Sequence, residues 1–333
     1  MGILVMYPGP SRVKKAISFE TLENVTFMKI LVATEKPFAK AAVDGIREIV
    51  EGAGYELALL EKYADKAELL AAVADADGLI VRSDKVTREV IDAARNLKIV
   101  VRAGAGYDNV DLAACTKRGI VVMNTPGQNS NAVAELVVSM MIFISRNQFT
   151  PGTGAEVSGK RLGIHAYGNV GRIVARYGRA LGMSVKAFDP FVDPRQLEAD
   201  GVEAVGTVEE LYASSDYVSL HIPATAQTRG SIGYELLSSM PKGGVLINTA
   251  RKEVIDEQGL IRAFEERADL KYITDIAAEA QPLLTEKFGK RVFATPKKMG
   301  AETAEANLNA GLAAARQTVD FLKNGNRRFQ VNK

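Results

Sequence analysis

The chain is short of three things: cysteine, net charge and long apolar runs. Its 333 residues contain one cysteine, Cys115, which excludes an internal disulfide and is typical of a reducing cytosol. The net charge is +2, so we expect no large basic face for nucleic acid or for an anionic membrane. The longest apolar stretch, residues 132–144, is interrupted by Glu135 and falls short of the ~20 residues of a membrane span. We therefore predict a cytoplasmic protein that binds neither nucleic acid nor membrane, and no metal site.

Residues 1–27 differ from the rest of the chain. They lack the basic start, apolar core and cleavage site of a secretory signal. A second methionine, Met28, opens a clean apolar strand. We predict that the first 27 residues are a disordered extension or the product of an upstream start.

From Met28 onward, apolar runs alternate with amphipathic helical stretches. An apolar content of 47% and a charged content of 25% are ordinary for a globular protein, and 333 residues suggest two domains. Short β-branched runs separated by helices favour parallel sheets covered on both faces. We predict an α/β fold of two doubly wound parallel sheets. The first has strands at 29–34, 56–62, 78–83, 98–104 and 120–126, and the second has strands at 161–168, 184–190, 217–223, 244–250, 271–277 and 291–296.

Two helices have distinctive patterns. Residues 129–147 are apolar nearly all round, so this helix must be buried, either between domains or in a dimer interface. A final helix over about 302–323 is amphipathic and is ended by Gly325. In addition, Thr87 is predicted to cap the helix that follows it.

Residues 163–172, GIHAYGNVGR, carry a dinucleotide-binding fingerprint between a strand and a helix. Gly168 lets the backbone approach a pyrophosphate, and Gly171 allows close packing of helix on strand. The helix N-terminus supplies amides for the phosphates. Ala166 replaces the first glycine of the pattern, and we expect a turn there without positive φ.

An acidic residue follows this fingerprint at the expected distance. Asp189 comes at the end of the next strand, about 20 residues beyond the glycines. A carboxylate there accepts hydrogen bonds from a ribose diol and repels a 2′-phosphate, which predicts NAD over NADP. An ordinary turn acid before Pro190 is the alternative.

Several motifs together resemble the D-2-hydroxyacid dehydrogenase family, in order and with matching spacing from Met28 to about Gly325. The resemblance implies a Rossmann nucleotide domain, about 128–299, inserted in a flavodoxin-like substrate domain, about 28–127 and 300–333. It also implies NAD as cofactor, a homodimer that uses the helix at 129–147, and a short form without a C-terminal regulatory domain. The motifs are VVRAGAGYDNVDL (100–112), NTPGQNSNAVAELV (124–137), LHIPAT (220–225), INTARKEVIDE (247–257) and ATPKKMGAETAEAN (294–307).

The same resemblance implies the roles of individual residues. Arg251 matches the family arginine that binds the substrate carboxylate and carbonyl oxygen, and a guanidinium suits both tasks. Arginines at two successive strand ends suit a substrate phosphate, although ion pairs with neighbouring acids are the alternative. The predicted substrate-binding set is Arg82, Ser83, Lys85, Arg102 and Gly104. The predicted cofactor-binding set is Gly106, Gly168, Asn169, Val170, Gly171, Asp189, His221, Pro223, Thr249, Ala250 and Asp275.

The chain departs from the family where most members carry a catalytic histidine. It has only two histidines, His165 and His221, and both sit at positions that look architectural. The family position, between Thr-Pro and a glycine, holds Lys297 and Lys298, and the sequence does not choose between them. The family glutamate that charges the histidine is also missing, and only Glu279 is near its position.

A lysine base needs a lowered pKa, since its ordinary value is about 10.4. Burial and neighbouring cations would lower it, whereas a carboxylate would raise it. The leading prediction is NAD-linked oxidation of D-3-phosphoglycerate to 3-phosphohydroxypyruvate, the entry step to serine. The alternatives are a reductase of glyoxylate or hydroxypyruvate, and a non-catalytic NAD-sensing scaffold.

Overall fold

The computed structural model describes residues 28–332, so the predictions for residues 1–27 lie outside the described part. The first half contains β1 (Lys29–Thr34), α1 (Lys40–Gly52), β2 (Glu56–Glu61), α2 (Lys66–Val73), β3 (Gly78–Val81), α3 (Arg88–Ala93), β4 (Ile99–Arg102), α4 (Leu112–Lys117), β5 (Val121–Asn124) and α5 (Ser130–Ser145). The second half contains β6 (Arg161–His165), α6 (Asn169–Ala180), β7 (Ser184–Phe188), α7 (Pro194–Ala199), β8 (Glu203–Ala204), α8 (Val208–Ala213), β9 (Tyr217–Leu220), α9 (Tyr234–Ser239), β10 (Val245–Asn248), α10 (Glu257–Glu266), β11 (Lys271–Thr274), α11 (Gln281–Phe288), β12 (Val292–Ala294) and α12 (Ala304–Asn324).

The first sheet is parallel, with strand order β2-β1-β3-β4-β5. Alternate residues of its strands enter two separate cores, because helices cover both faces. Leu31 and Leu79 pack into one core, and Ile30 and Ile80 pack into the other. This burial on both faces is why the strands read as continuous apolar runs. The order is that of a flavodoxin-like sheet.

The second sheet has the order β12-β11-β10-β9-β6-β7-β8 and is also parallel. Its connections reverse direction between β6 and β9, as in a Rossmann domain, and ligands bind at such a switch point. The predicted fold of two doubly wound parallel sheets is confirmed. The edge strand β8 was not predicted, because two residues carry no periodicity.

The last helix, α12, follows the second sheet but packs on the first. It contacts α1, β3 and β4, and Ala310 and Ala314 are buried in the same core as Ile30. The approach is close, since a Cβ added to Gly45 of α1 would lie 2.5 Å from Leu312 Cδ2. Gly325 ends the helix with φ +68°, as predicted.

Helix α5 buries one side against α6, β10 and β11 of the second sheet. Its opposite side carries exposed Asn131, Glu135 and Ser139. The residues that follow, 147–149, all have positive φ, an unusual run for residues other than glycine. Phe149 at the end of this turn is 70% exposed and contacts Phe143 edge to face.

Thr87 occupies the N-cap position of α3 as predicted, but its hydroxyl makes no capping hydrogen bond. Of the helices between residues 28 and 332, none combines the length and apolarity needed to cross a membrane.

Candidate active site

A cleft of about 550 Å³ opens between the carboxyl ends of the strands of the two sheets. Residues after β3 and β4 line one wall, and residues after β9, β10 and β12 line the other. Ligands of α/β proteins bind at such strand ends. The predicted residues that line it are Ser83, Arg102, Gly106, Val170, His221, Pro223, Thr249, Ala250, Arg251, Asp275 and Lys298.

Arg251 follows β10 and projects into the cleft, where its side chain is 35% exposed. Its carbonyl accepts a hydrogen bond from Asn248 Nδ2 (3.0 Å), and its Nη1 donates to the Ala250 carbonyl (2.9 Å). Its Nη2 lies 3.9 Å from Asp108 Oδ2 of the opposite wall. A Cβ on Gly106 would come within 3.0 Å of Nη2, so a glycine there leaves room for the guanidinium.

The two lysines of the loop after β12 lie in different places. Both are exposed, but Lys298 lines the cleft and Lys297 does not. Lys298 is open to solvent at the cleft mouth, yet burial by the walls lowers its pKa, and the charges of Arg251 and Arg102 lower it further. Asp275 and Asp108 act in the opposite direction. The net effect lowers the pKa of Lys298, which is the direction that a lysine base requires.

Asp275 holds this loop in place from the end of β11. Its Oδ2 accepts hydrogen bonds from the Gly300 amide (2.8 Å) and the Met299 amide (3.2 Å). Burial raises the pKa of Asp275. Its Oδ1 is buried and has no hydrogen-bond partner among residues 28–332. This oxygen lies on a residue that lines the cleft, so a bound ligand is a natural partner for it.

Arg82 and Gly104 line a smaller cavity of about 100 Å³ beside the cleft, and Arg102 and Ser83 border both. Arg102 Nε donates to the Arg82 carbonyl (2.8 Å), and the Arg82 guanidinium bonds Asn307 Oδ1. Gly104 has φ +147°, and a Cβ there would overlap the Arg102 guanidinium.

No carboxylate within residues 28–332 forms an ion pair with either arginine, so the ion-pair alternative for Arg82 and Arg102 is not observed. Burial and the neighbouring guanidinium groups lower the pKa of Arg102. Lys85 does not join them: it lines a separate cavity with Glu35 and Tyr63.

The fingerprint glycines lie at the start of α6. Gly168 is its N-cap, and a Cβ added there meets nothing within 4 Å, so the space before the helix is open. Gly171 is buried, and a Cβ there would lie 2.3 Å from the Ala166 carbonyl oxygen. The expectation for Ala166 is wrong: its φ is +80°. The turn from β6 into α6 needs a left-handed residue, and alanine occupies this position under strain.

Asp189 ends the strand next to β6, where its oxygens accept backbone N–H groups of Tyr167 (2.8 Å) and Phe191 (2.9 Å). Phe191 is 95% exposed, although it is a large apolar residue. Phe191 was not predicted from the sequence, where the available signal was an aromatic residue directly after the Asp189-Pro190 pair.

Neither histidine is suited to accept a proton. Burial lowers the pKa of His165 to about 4 and that of His221 to about 3. His165 contacts Tyr212 and Phe188 edge to face. His221 lines the cleft with Nε2 3.0 Å from Ser219 Oγ.

Glu279 does not replace the family glutamate. It pairs with Lys252 (3.1 Å) and does not line the cleft. Nine other lining residues were not predicted. All of them lie in the motifs that carried the resemblance: Ala105, Asp108, Asn109, Asn129, Val133, Ile222, Gly300, Ala301 and Glu302.

Known proteins resemble this chain over most of its length. Residues 31–332 match the family model described as D-isomer specific 2-hydroxyacid dehydrogenase, catalytic domain. A D-3-phosphoglycerate dehydrogenase of Methanocaldococcus jannaschii is 38% identical over 276 residues, which are 78% of this chain and 52% of that protein. The chain spans about half the length of the curated phosphoglycerate dehydrogenases that it matches. A hydroxypyruvate reductase of Thermotoga maritima is 36% identical over 278 residues, 77% of this chain and 88% of that protein.

The solved structure of NAD⁺-bound 3-phosphoglycerate dehydrogenase from Entamoeba histolytica is 52% identical, with a TM-score of 0.84, and the match covers 92% of this chain and 99% of that chain. Family model, relatives and fold agree. The chain belongs to the D-isomer specific 2-hydroxyacid dehydrogenase family.

Proposed function

We propose that this protein oxidises D-3-phosphoglycerate to 3-phosphohydroxypyruvate with NAD, in the cytosol, as the first step of the phosphorylated serine pathway. The observation that carries the proposal is the position of Lys298 beside Arg251 in a cleft that adjoins a pocket with Arg82. This arrangement offers a proton acceptor and separate cations for a carboxylate and a phosphate. The named relatives support the same substrate class.

The residues on the second sheet fit a nicotinamide dinucleotide. The open space before α6 suits a pyrophosphate on the helix amides, and Asp189 suits the adenosine ribose. Thr249 Oγ1 and Asp275 Oδ1 are buried and have no hydrogen-bond partner within residues 28–332, so they suit the amide end of the cofactor. The exposed Phe191 ring suits the adenine face. When bound, NAD supplies the hydride acceptor.

The substrate's two anionic groups would be held by different arginines. Arg251 is placed to bind the carboxylate by two parallel hydrogen bonds, exchanging its long contact to Asp108 for a better one. Arg82 and Arg102 would bind the phosphate. The two guanidinium groups repel each other in the free protein, and a dianion would relieve that repulsion.

Lys298 would take the proton from the substrate hydroxyl as the alcohol becomes a ketone. Its neutral form is the acceptor, and its lowered pKa increases the fraction of that form near neutral pH. Asp275 acts on Lys298 through the loop by holding the Met299 and Gly300 amides. Arg251 would stabilise the negative charge that develops on the oxygen.

The test is NADH formation from D-3-phosphoglycerate, D-glycerate and D-lactate at pH 7 to 10. We expect turnover with phosphoglycerate to exceed both others, and Arg82→Met to raise the KM for phosphoglycerate far more than that for glycerate. Equal turnover of all three would contradict the phosphate assignment. Binding of NAD without turnover of any would instead favour the scaffold alternative.

Reduction of hydroxypyruvate is the second candidate. Of the Methanocaldococcus jannaschii and Thermotoga maritima relatives, the hydroxypyruvate reductase of Thermotoga maritima is the one whose length this chain covers more fully, 88% against 52%. Hydroxypyruvate carries no phosphate, so this reaction requires no phosphate-binding site. A kcat/KM for hydroxypyruvate with NADH above that for 3-phosphohydroxypyruvate would favour it.

We also propose a homodimer that uses the exposed side of α5 and the turn carrying Phe149. Exposed phenyl groups favour association, and Phe149 contacts Phe143, which packs on Phe293. The predicted division into residues 28–127 with 300–333 and residues 128–299 is part of the same proposal. The packing of α12 on α1 supports it.

A further inference from the structure

Lys298 places a primary amine in a cleft that, by the proposed function, takes a 2-hydroxy acid and releases a 2-oxo acid. Among residues 28–332, Lys298 is the only lysine that lines this cleft. Its Nζ forms no hydrogen bond and no ion pair with any group of those residues. A primary amine can condense with a ketone, whereas the imidazole of a histidine at this position cannot form the same product. The lysine therefore adds a reactivity that a proton acceptor alone does not need.

The loop that carries Lys298 is tied to the protein on both sides of this residue. Before it, the hydroxyl of Thr295 donates a hydrogen bond to the Lys297 carbonyl (2.7 Å). After it, Asp275 Oδ2 accepts hydrogen bonds from the amides of the next two residues, at 3.2 and 2.8 Å. The backbone of Lys298 is therefore held at the wall of the cleft.

The groups around Lys298 favour the form of the amine that attacks a carbonyl. Burial by the cleft walls lowers the pKa of Lys298, and the guanidinium groups of Arg251 and Arg102 lower it further, while Asp275 and Asp108 act in the opposite direction. Only the neutral amine has a lone pair to donate. Desolvation and a neighbouring cation are the two means by which proteins activate lysine as a nucleophile.

The carboxylate of a 2-oxo acid would bring its carbonyl carbon to the same cleft. Arg251 and Lys298 both line it, and Gly106 leaves room for the Arg251 guanidinium, since a Cβ there would lie 3.0 Å from Nη2. In a 2-oxo acid the carbonyl carbon, C2, is bonded directly to the carboxylate, so a carboxylate held by Arg251 also restricts C2. A carbonyl held beside the amine reacts as if its concentration were far above that in solution.

We propose that Lys298 is also a covalent site, whose amine condenses reversibly with the carbonyl carbon of a bound 2-oxo acid to form an imine. The nitrogen lone pair adds to C2, and an electron pair of the C=O bond moves to the oxygen. One proton passes from nitrogen to that oxygen, and the hydroxyl leaves as water with a second proton from solvent. The product is a protonated imine, and no oxidant or reductant is consumed. The choice of a 2-oxo acid as the carbonyl compound rests on the proposed function.

The imine has a consequence for turnover. It occupies the nitrogen that would accept the proton of the next substrate, so a protein molecule that carries the imine is inactive until water reverses the condensation. A 2-oxo acid that accumulates would therefore inhibit the protein by a slow, reversible step in addition to ordinary competition for the cleft.

The test is reductive trapping of the full chain with pyruvate and sodium cyanoborohydride, in the absence of NAD. Cyanoborohydride reduces an imine to a stable secondary amine, and peptide mass spectrometry then measures the rate at which each lysine is modified. We expect Lys298 to be modified at least about tenfold faster than Lys297, the matched control on the adjacent exposed residue. Acetone is the matched probe without a carboxylate and should show no such preference. Arg251→Met should reduce the modification of Lys298 by pyruvate at least about tenfold.

Modification of Lys298 no faster than that of Lys297 overturns the covalent site. Equal preference for Lys298 with acetone and with pyruvate also overturns it, because the site then does not recognise the acid. Trapping of Lys298 in a protein that turns over no hydroxy acid supports the imine and contradicts only the proposed function. Turnover that depends on Lys298, without any trapping, contradicts only the imine.

Discussion

Lys298, the proton acceptor that we propose, shows how one residue changes what its surroundings must supply. A histidine titrates near neutral pH, and a carboxylate partner usefully raises its pKa. A lysine acts as a base only where its surroundings destabilise the charged form and so lower its pKa. Lys298 has burial, Arg251 and Arg102 for that purpose. The nearest candidate for the missing glutamate, Glu279, is occupied with Lys252 outside the cleft.

We predict that Lys298→Met lowers kcat for phosphoglycerate oxidation at least ~10²-fold, because it removes the proton acceptor. Lys297→Met, the matched control on the adjacent exposed residue, should leave kcat within about twofold. In the wild type, the rate should rise with pH, because deprotonation creates the base, and it should level off below 10.5, the ordinary pKa from which burial lowers Lys298. Steady-state kinetics across pH 7 to 10 measures this. Loss of activity in the Lys297 variant alone would reverse the assignment.

Ala166 is a strained residue at the cofactor end. Its φ of +80° is easy for glycine and costly for alanine. We predict that Ala166→Gly raises the free energy of unfolding by about 1 kcal/mol. Ala53→Gly is the control, because Ala53 has φ −87° and glycine there should lower stability. Denaturant unfolding of the three proteins decides the matter, and a destabilised Ala166→Gly variant would show that the left-handed turn is not strained.

At the residue scale, the sequence predicted which residues line the site more reliably than it predicted which residues they contact. Arg251, Arg102 and Lys298 were predicted and lie together, because strand ends of parallel sheets converge. Lys85 lines another cavity because the side chain points to the other side of the loop after β3. No residue pattern in the sequence encodes that direction. The choice between Lys297 and Lys298 required the hydrogen bonds from the loop amides to Asp275.

At the scale of elements, the turn after α5 stands apart. Residues 147–149 hold three successive left-handed conformations, each costing about 1–2 kcal/mol outside glycine. The turn directs Phe149 outward, where it is 70% exposed. This turn costs conformational free energy and exposes a phenyl ring to water. Burial of the ring against a second copy of the chain would offset both costs.

We predict that Phe149→Asp weakens dimerisation at least about hundredfold, because each copy loses the burial of a phenyl ring. Phe191→Asp is the matched control, since Phe191 is also an exposed phenylalanine but lies beside Asp189. Sedimentation equilibrium should give a dimer for the wild type and the control, and a monomer for the variant. Dimers of equal strength in all three would exclude this face.

Strand positions were predicted to within a few residues because both faces of each strand are buried and the runs are apolar throughout. Helix α12 was predicted as a helix, but its periodicity says nothing about which sheet it covers. That choice depends on the close approach of Leu312 to Gly45, a contact between residues distant in sequence.

At the scale of the whole molecule, the two histidines couple stability to pH. Their folded-state pKa values, about 4 for His165 and about 3 for His221, lie below the unfolded value of 6.5. Below pH 6.5 the unfolded chain binds protons that the folded protein excludes, so stability is lost as the pH falls towards these values.

We predict that each histidine lowers the free energy of unfolding by about 2 kcal/mol between pH 7.5 and pH 5. His165→Phe should reduce the loss between pH 7.5 and pH 5 by about that amount, since the ring site lies among Phe188 and Tyr212. Urea unfolding at the two pH values measures the difference. An identical pH dependence in the variant and the wild type would refute the assignment.

The return of α12 to the first sheet also has a consequence for synthesis on the ribosome. The strands β1 to β5 emerge first, but Ala310 and Ala314, which share a core with Ile30 and Ile80, emerge only after the whole second sheet. Until then the part of this apolar face that α1 does not cover faces water or a chaperone. The part of the protein that is translated first is thus completed last, and stalled chains that end before α12 should be the aggregation-prone species.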